Sequence, residues 1–440
     1  MRSRPAVWLR WAAVHGVPRA FLTMRARGGE PLARLVLGHG DRLSLIEEVR
    51  DAGPLLRTPV VWASADHQVC RTVLRDRAFG VADPSETGLP DWLLRLVRRV
   101  DPALPNPVEP PSMLMADPPQ HTELRRLVAH SFAPKPIAGL ETRISELTSS
   151  LLDGLGRHAS VDLIADYAAP LPAAVISEML GVPDGDRSRI LHWGNTVSAM
   201  LDIGIGWRPF RAAIDGLVDV DDYLREHFRR MHVEGSDPDL APPATETPLR
   251  RLALNGHLSG RQLISNAALL IGAGVETTVN LIGNGIAALL AHPDQLTLLQ
   301  ENPALWPTAV EEILRYDSPV QIAARAALHD TEIMGREIPK GAVIVLLLGG
   351  ANRDPQVFDR PERFDITRPN AKEHLAFGTG IHVCLGAALA RSEGATALRE
   401  LFTRYPDLRL HEPPERRGVV NLHGYRRLAA QLTTATRRAS

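Results

Sequence analysis

The chain has 440 residues, 44% hydrophobic and 23% charged, a globular balance that excludes wholesale disorder. Its formal net charge of -1 lacks the basic excess of a nucleic-acid binder, so no nucleic-acid partner is expected. The two cysteines, Cys70 and Cys384, are too few for a disulfide framework or a zinc site of several thiolates, which points to a reducing, cytoplasmic location.

Residues 1–42 read as an extension packed on a single body spanning 43–440. Trp8, Leu9, Trp11, Val17, Phe21 and Leu22 lie among arginines in a pattern that suits an amphipathic helix. Such a helix either packs on the body or lies at a membrane interface. Arg10 breaks the apolar stretch early, so no signal peptide is expected. The longest later apolar stretch, Ala267 to Val275, is far below the ~20 residues of a spanning helix.

The body opens with a helix at Leu43–Arg50, a strand at Val60–Trp62 and a helix at His67–Arg75. Prolines and glycines accumulate between Asp83 and Ser112, predicting a long loop, and such loops inside compact proteins are usually functional. Helical apolar spacing follows over Pro136–Leu155, Pro170–Leu180 and Trp207–Met231. Gly235–Thr247 reads as a surface connection. A long helix is predicted over Leu263–Ala291 and another over Pro307–Tyr316, stopped by Ser318-Pro319. Ile333–Ile338 and Val343–Leu348 read as strands around the turn Pro339-Lys340-Gly341, and Leu385–Tyr405 as the last helix before a tail of short strands. The fold class is mainly α with small β-sheets.

The strongest chemistry lies in Phe377-Gly378-Thr379-Gly380-Ile381-His382-Val383-Cys384-Leu385-Gly386. The glycines permit turns that side chains forbid and let backbone N–H groups approach a sulfur. A helix start after Cys384 would favour its thiolate. Such a thiolate serves as nucleophile, redox thiol or metal ligand, with a Cys–His pair and a zinc set of His374, His382 and Cys384 among the options.

A second unusual string is Gly272-Ala273-Gly274-Val275-Glu276-Thr277-Thr278. Each glycine inside a helix costs about 1 kcal/mol relative to alanine. Threonine hydroxyls can bond the carbonyl one turn back and bend the helix. The string suits either a proton relay at a small-ligand site or a close helix crossing. Glu312 and Arg315 share a helical face, as do His121 and Arg125.

The ten-residue cysteine string resembles the ligand loop of the cytochrome P-450 family, the haem-thiolate monooxygenases of soluble bacterial type. The motifs follow the family's order from about Leu43 to the C-terminus. The resemblance implies haem b, with Cys384 as the axial iron ligand and Phe377, Gly378 and Gly386 forming its loop. It implies that His382, His121, Arg125 and Arg325 hold the haem propionates. Thr277 and its acid partner Glu276 would support protonation of bound dioxygen. Glu312 and Arg315 would form a structural ion network completed by Arg363.

The same resemblance implies that one atom of dioxygen enters a lipophilic small molecule, most simply as a hydroxyl. Electrons would come from a separate ferredoxin and ferredoxin reductase, and the protein would be a monomer. The substrate pocket is expected from the loop 83–112, the stretch 193–210, Leu269, Ala273 and Gly274, Val320 and Ile322, and Leu422, with Trp193, Met200, Trp207 and Phe210 as a lid. A peroxygenase, an isomerase and a non-enzymatic haem sensor are the competing readings. The Glu276–Thr277 pair speaks against them.

Overall fold

In the computed structural model, residues 4–81, 104–158, 160–235 and 247–432 are described, together with the single positions 95 and 99. Apart from those two positions, the expected loop portion 83–103 lies outside them, as does the connection 236–246.

Apolar faces at helical spacing build one large helical core, and Asp or Ser caps set several starts. The N-terminal rod consists of α1 (Arg4–Trp11), a π turn (Ala12–Gly16) and α2 (Val17–Arg27), followed by α3 (Pro31–Val36). Asp41 caps α4 (Arg42–Asp51) by accepting from the Ser44 N–H, and Asp66 caps α5 (His67–Arg75) by accepting from the Val69 N–H. Leu32 and Leu35 of α3 share a cluster with Leu45, Ile46 and Val49 of α4. The N-terminal segment therefore packs directly on the body.

Next come α6 (Gln120–Ala129), α7 (Glu141–Leu155), α8 (Pro170–Leu180), α9 (Arg187–Val197) and α10 (Trp207–Gly235). The central helix α11 spans Gly260–Ala291. Its start is a capping box: Ser259 Oγ accepts from the Gln262 N–H, and the Ser259 N–H donates to Gln262 Oε1. Most of α11 is buried, against α8, α9 and the last helix, α13 (Ala387–Arg404), among others. Helix α12 (Trp306–Tyr316) packs on both α11 and α13. Among the described residues α11 alone is long and apolar enough to cross a membrane by length and composition, and 72% of its most apolar window is buried inside the protein.

Strands β1 (Leu56–Arg57), β2 (Trp62–Ser64), β3 (Phe79–Val81), β5 (Ile322–Ala327) and β8 (Val343–Leu347) form the main sheet in the order β1-β2-β8-β5-β3. β4 (Ser160–Asp162) pairs with β12 (Ala429–Gln431), which also pairs with β9 (Arg409–Leu410). β10 (Glu415–Arg416) pairs with β11 (Tyr425–Arg427).

The hairpin expectation needs correction. Ile333–Ile338 is not one strand. Thr331–Ile333 (β6) and Arg336–Ile338 (β7) form their own hairpin around Met334 and Gly335, both at positive φ. β8 instead runs parallel to β2 and antiparallel to β5.

Candidate active site

Local backbone chemistry shapes the cysteine loop. Gly378 and Gly380 sit at φ 62° and 75°. A Cβ on Gly380 would fall 2.4 Å from the Leu74 carbonyl oxygen of α5, so only glycine fits that approach. The Cys384 N–H donates to the Phe377 carbonyl at 2.9 Å and closes the loop. Helix α13 begins three residues later with Gly386 as N-cap. The Cys384 thiol is exposed on one side. The protein packed around it raises its pKa, while the Gly386 N–H, Arg125 and Arg391 favour the thiolate.

The loop is tied to α12 from below. The Arg391 guanidinium lies 4.6 Å over the Phe377 ring. It also donates to Glu311 at 2.5 and 3.0 Å, and His374 Nε2 stands 3.2 Å from the same carboxylate. Burial alone would raise Glu311, but the hydrogen bonds from His374 and Arg391 outweigh it and hold the carboxyl at about 2. With His374 engaged there, the zinc set of His374, His382 and Cys384 does not form. Among the described residues no three His, Cys, Asp or Glu side chains converge as a metal site.

Four nitrogen donors gather beside the loop. The His121 and His382 rings are 4.1 Å apart, and Arg125 Nη2 donates to the Val383 carbonyl at 2.7 Å. Register places Arg325 of β5 opposite Val81 of β3, whose N–H donates to Asp117. Asp117 is 4.0 Å from His382 and is the carboxylate that opposes the lowering of His121 and Arg325. Burial lowers the His382 pKa to about 3, helped by His121, Arg325 and Arg125. His121 is lowered by burial and then by Arg125, and Arg325 by burial against the pull of Asp117. His382 Nε2 is buried with no hydrogen-bond partner. Two arginines and two histidines, one of them with an orphaned ring nitrogen, make a place built to receive anionic oxygens. That donor set fits the two propionates of a haem, and the Cys384 thiolate would be the ligand for its iron.

On α11, Ala273 is exposed although the surrounding helix is core, and Thr277, one turn on, is half-buried. Thr277 Oγ1 donates to the Ala273 carbonyl at 2.7 Å and Thr278 Oγ1 to Gly274 at 3.0 Å, so both threonines back-bond without interrupting the helix. Glu276 is buried and faces the Arg417 guanidinium, which also donates to Asn195 of α9. Arg417 is a site residue that spacing did not reveal, because it lies 141 positions from its partner.

Several pocket expectations change. A Cβ on Gly274 would meet Ile176 of α8 at 3.3 Å, so Gly274 serves a helix crossing. Trp193 is buried, donates to Asp219 at 2.7 Å and packs on Tyr223 at 5.1 Å between ring centroids, so it is core and not lid. Phe210, Trp207 and Met200 pack under α1 in a cluster with Trp11. Leu269, Val320 and Ile322 are half-buried, and Leu422 is buried and bridges to Val320.

The ion network also differs in one member. Arg315 holds Glu312 through two bonds of 2.7 and 2.8 Å, both side chains fully buried. The second cation on Glu312 is Arg368 at 3.3 Å, not Arg363. The Arg363 side chain is exposed, and the residue contributes only its carbonyl oxygen, which accepts from Arg315 and Arg368. The backbone turn at 360–365 presents carbonyls inward, so the inward guanidinium has to come from farther along. Sequence spacing does not distinguish the two arginines.

A thiolate loop at a helix start, an anion-receiving donor cluster and a threonine-bearing core helix define a haem-thiolate enzyme. The comparisons agree. The cytochrome P-450 family model matches residues 250–416. The chain is 40% identical over 436 residues to cytochrome P-450 140 of Mycobacterium tuberculosis, covering 97% of this chain and 98% of that protein. It is 39% identical over 303 residues to the 6-deoxyerythronolide B hydroxylase of Saccharopolyspora erythraea, covering 68% and 72%. The structure of P-450 BioI in complex with an acyl carrier protein ligated to hexadec-9Z-enoic acid aligns with a TM-score of 0.80 at 32% identity, covering 89% of this chain and 99% of that one. The chain belongs to the cytochrome P-450 family, and it is a monooxygenase.

Proposed function

We propose that this monooxygenase hydroxylates a lipophilic small molecule, using haem b and electrons delivered by a separate ferredoxin and its reductase. The observation that carries the reading is the grouping of the half-exposed Cys384 thiol with His121, Arg125, Arg325 and His382. The bound haem supplies dioxygen chemistry that side chains lack. Cys384 would ligate its iron. The four donors would hold the propionates and neutralise their charge. Phe377 and Arg391 stiffen the loop so that the sulfur stays in place.

On α11 the Thr277 hydroxyl stands one turn from the exposed Ala273 and can hold or pass a proton there. Glu276 is the adjacent acid, and its pairing with Arg417 sets when that acid is available. Leu269, Ala273, Val320, Ile322 and Leu422 supply apolar walls, which favour a lipophilic substrate and exclude water. A relative named as a hydroxylase and a structural neighbour bound to an acyl chain support that class.

The test is turnover with ferredoxin, its reductase, NADPH and a panel of lipophilic compounds under labelled dioxygen. A product carrying one labelled oxygen atom is expected. Product formed with peroxide alone and not with the redox chain would contradict the reading.

A further inference from the structure

Residues 4–27 form a rod that the reaction does not use. Its inner face is tied down: Trp11 Nε1 donates to the Ile205 carbonyl at 2.9 Å, Arg19 Nη1 to Gly204 at 2.7 Å, and Arg10 pairs with Glu109 at 2.5 Å. Its outer face is apolar. Trp8 (48% exposed), Leu9 (39%), Val17 (54%) and Met24 (60%) all reach solvent. The π turn explains how they line up. It fits five residues into little more than one turn, so α2 is rotated by roughly one residue relative to an unbroken helix. With that shift the four side chains fall within an arc of about 100°.

Charge singles out the same segment. Residues 1–30 hold six arginines and one glutamate, a net +5, in a chain of formal charge -1, so the remaining 410 residues carry -6. Arg19 and Arg27, both exposed, rim a surface groove of about 470 Å³ that also includes Trp11, Thr23 and Met24. A tryptophan- and leucine-bearing stripe bordered by arginines, on a molecule otherwise acidic, is complementary to an anionic lipid surface.

We infer that the outer face of the rod Arg4–Arg27 binds the surface of an anionic bilayer peripherally. Trp8, Leu9, Val17 and Met24 enter the headgroup boundary, and Arg27 meets lipid phosphate.

The holoenzyme is sedimented with phosphatidylglycerol-containing vesicles and with pure phosphatidylcholine vesicles. Binding to the anionic vesicles that weakens with salt is expected, with far less on the neutral ones. Arg27→Glu should lower the partition coefficient roughly tenfold, and Trp8→Ser with Met24→Ser should also reduce it, each with the haem spectrum unchanged. No binding to anionic vesicles, or binding that neither variant alters, overturns the inference. So does a dimer in solution that Trp8→Ser with Met24→Ser converts to monomer, or a ferredoxin complex that the arginine variant abolishes while vesicle binding persists.

Discussion

The carboxylate of Glu276 on the central helix meets the guanidinium of Arg417 from the strand-rich tail, and the same guanidinium donates to Asn195 of α9. Three parts of the chain thus converge on the acid next to Thr277. Removing the cation leaves a buried carboxylate unpaired, which costs on the order of 3 kcal/mol. Arg417→Ala should lower Tm and reduce product formed per NADPH, while Arg417→Lys should retain much of both. Calorimetry and product-to-NADPH stoichiometry check this; unchanged coupling in Arg417→Ala would dissociate the pair from proton supply.

Thr277→Ala removes the hydroxyl but leaves the helix, since its bond to the Ala273 carbonyl is an addition to the backbone ladder. Stability should change by less than about 1 kcal/mol. Haem content should be normal, and more of the electrons should leave as peroxide. Peroxide yield against product yield reads the effect directly.

Arg368 and Arg363 separate the ion network from its neighbourhood. Arg368→Ala breaks a buried contact with Glu312 and opens bonds to three backbone carbonyls, so a loss of about 3–5 kcal/mol is expected. The exposed Arg363→Ala should lie within about 0.5 kcal/mol of wild type. Denaturant unfolding of the two variants side by side distinguishes them.

Glu393 on α13 is fully buried with one carboxyl oxygen unpartnered, and burial raises its pKa to about 8. Below the ordinary carboxylate range both folded and unfolded chains hold this proton. Between about 4.5 and 8 the unfolded chain releases it while the folded one keeps it, so this group makes stability fall as pH rises through that window. Glu393→Gln should therefore raise Tm at pH 8, leave it nearly unchanged at pH 4.5, and flatten the slope between. Equal Tm shifts at both pH values would contradict the assignment.

The long helices and the cysteine loop were legible in the sequence because their signals are local. Apolar spacing located Pro170–Leu180 and α11, and glycines at fixed offsets marked the loop around Cys384. What escaped depends on long-range pairing. The turn at Met334-Gly335 lacks the Asn-Gly or Asp-Gly signature of two-residue hairpins, so two short strands read as one. Strand β5 reads in the sequence as a pocket wall and a propionate-binding arginine rather than as a strand, because its partner β3 lies far away in sequence. Arg417 carries no local signal at all. Trp193 looked like a lid residue because an aromatic in an apolar stretch reads the same whether it faces a cavity or the core.

The most direct measurement is the Soret spectrum of the reduced, carbon monoxide-bound protein. The wild-type chain should show the strongly red-shifted band of a thiolate-ligated haem, and Cys384→Ser should lose that band while far-ultraviolet circular dichroism still reports the folded chain. A red-shifted band that survives in Cys384→Ser would contradict the account.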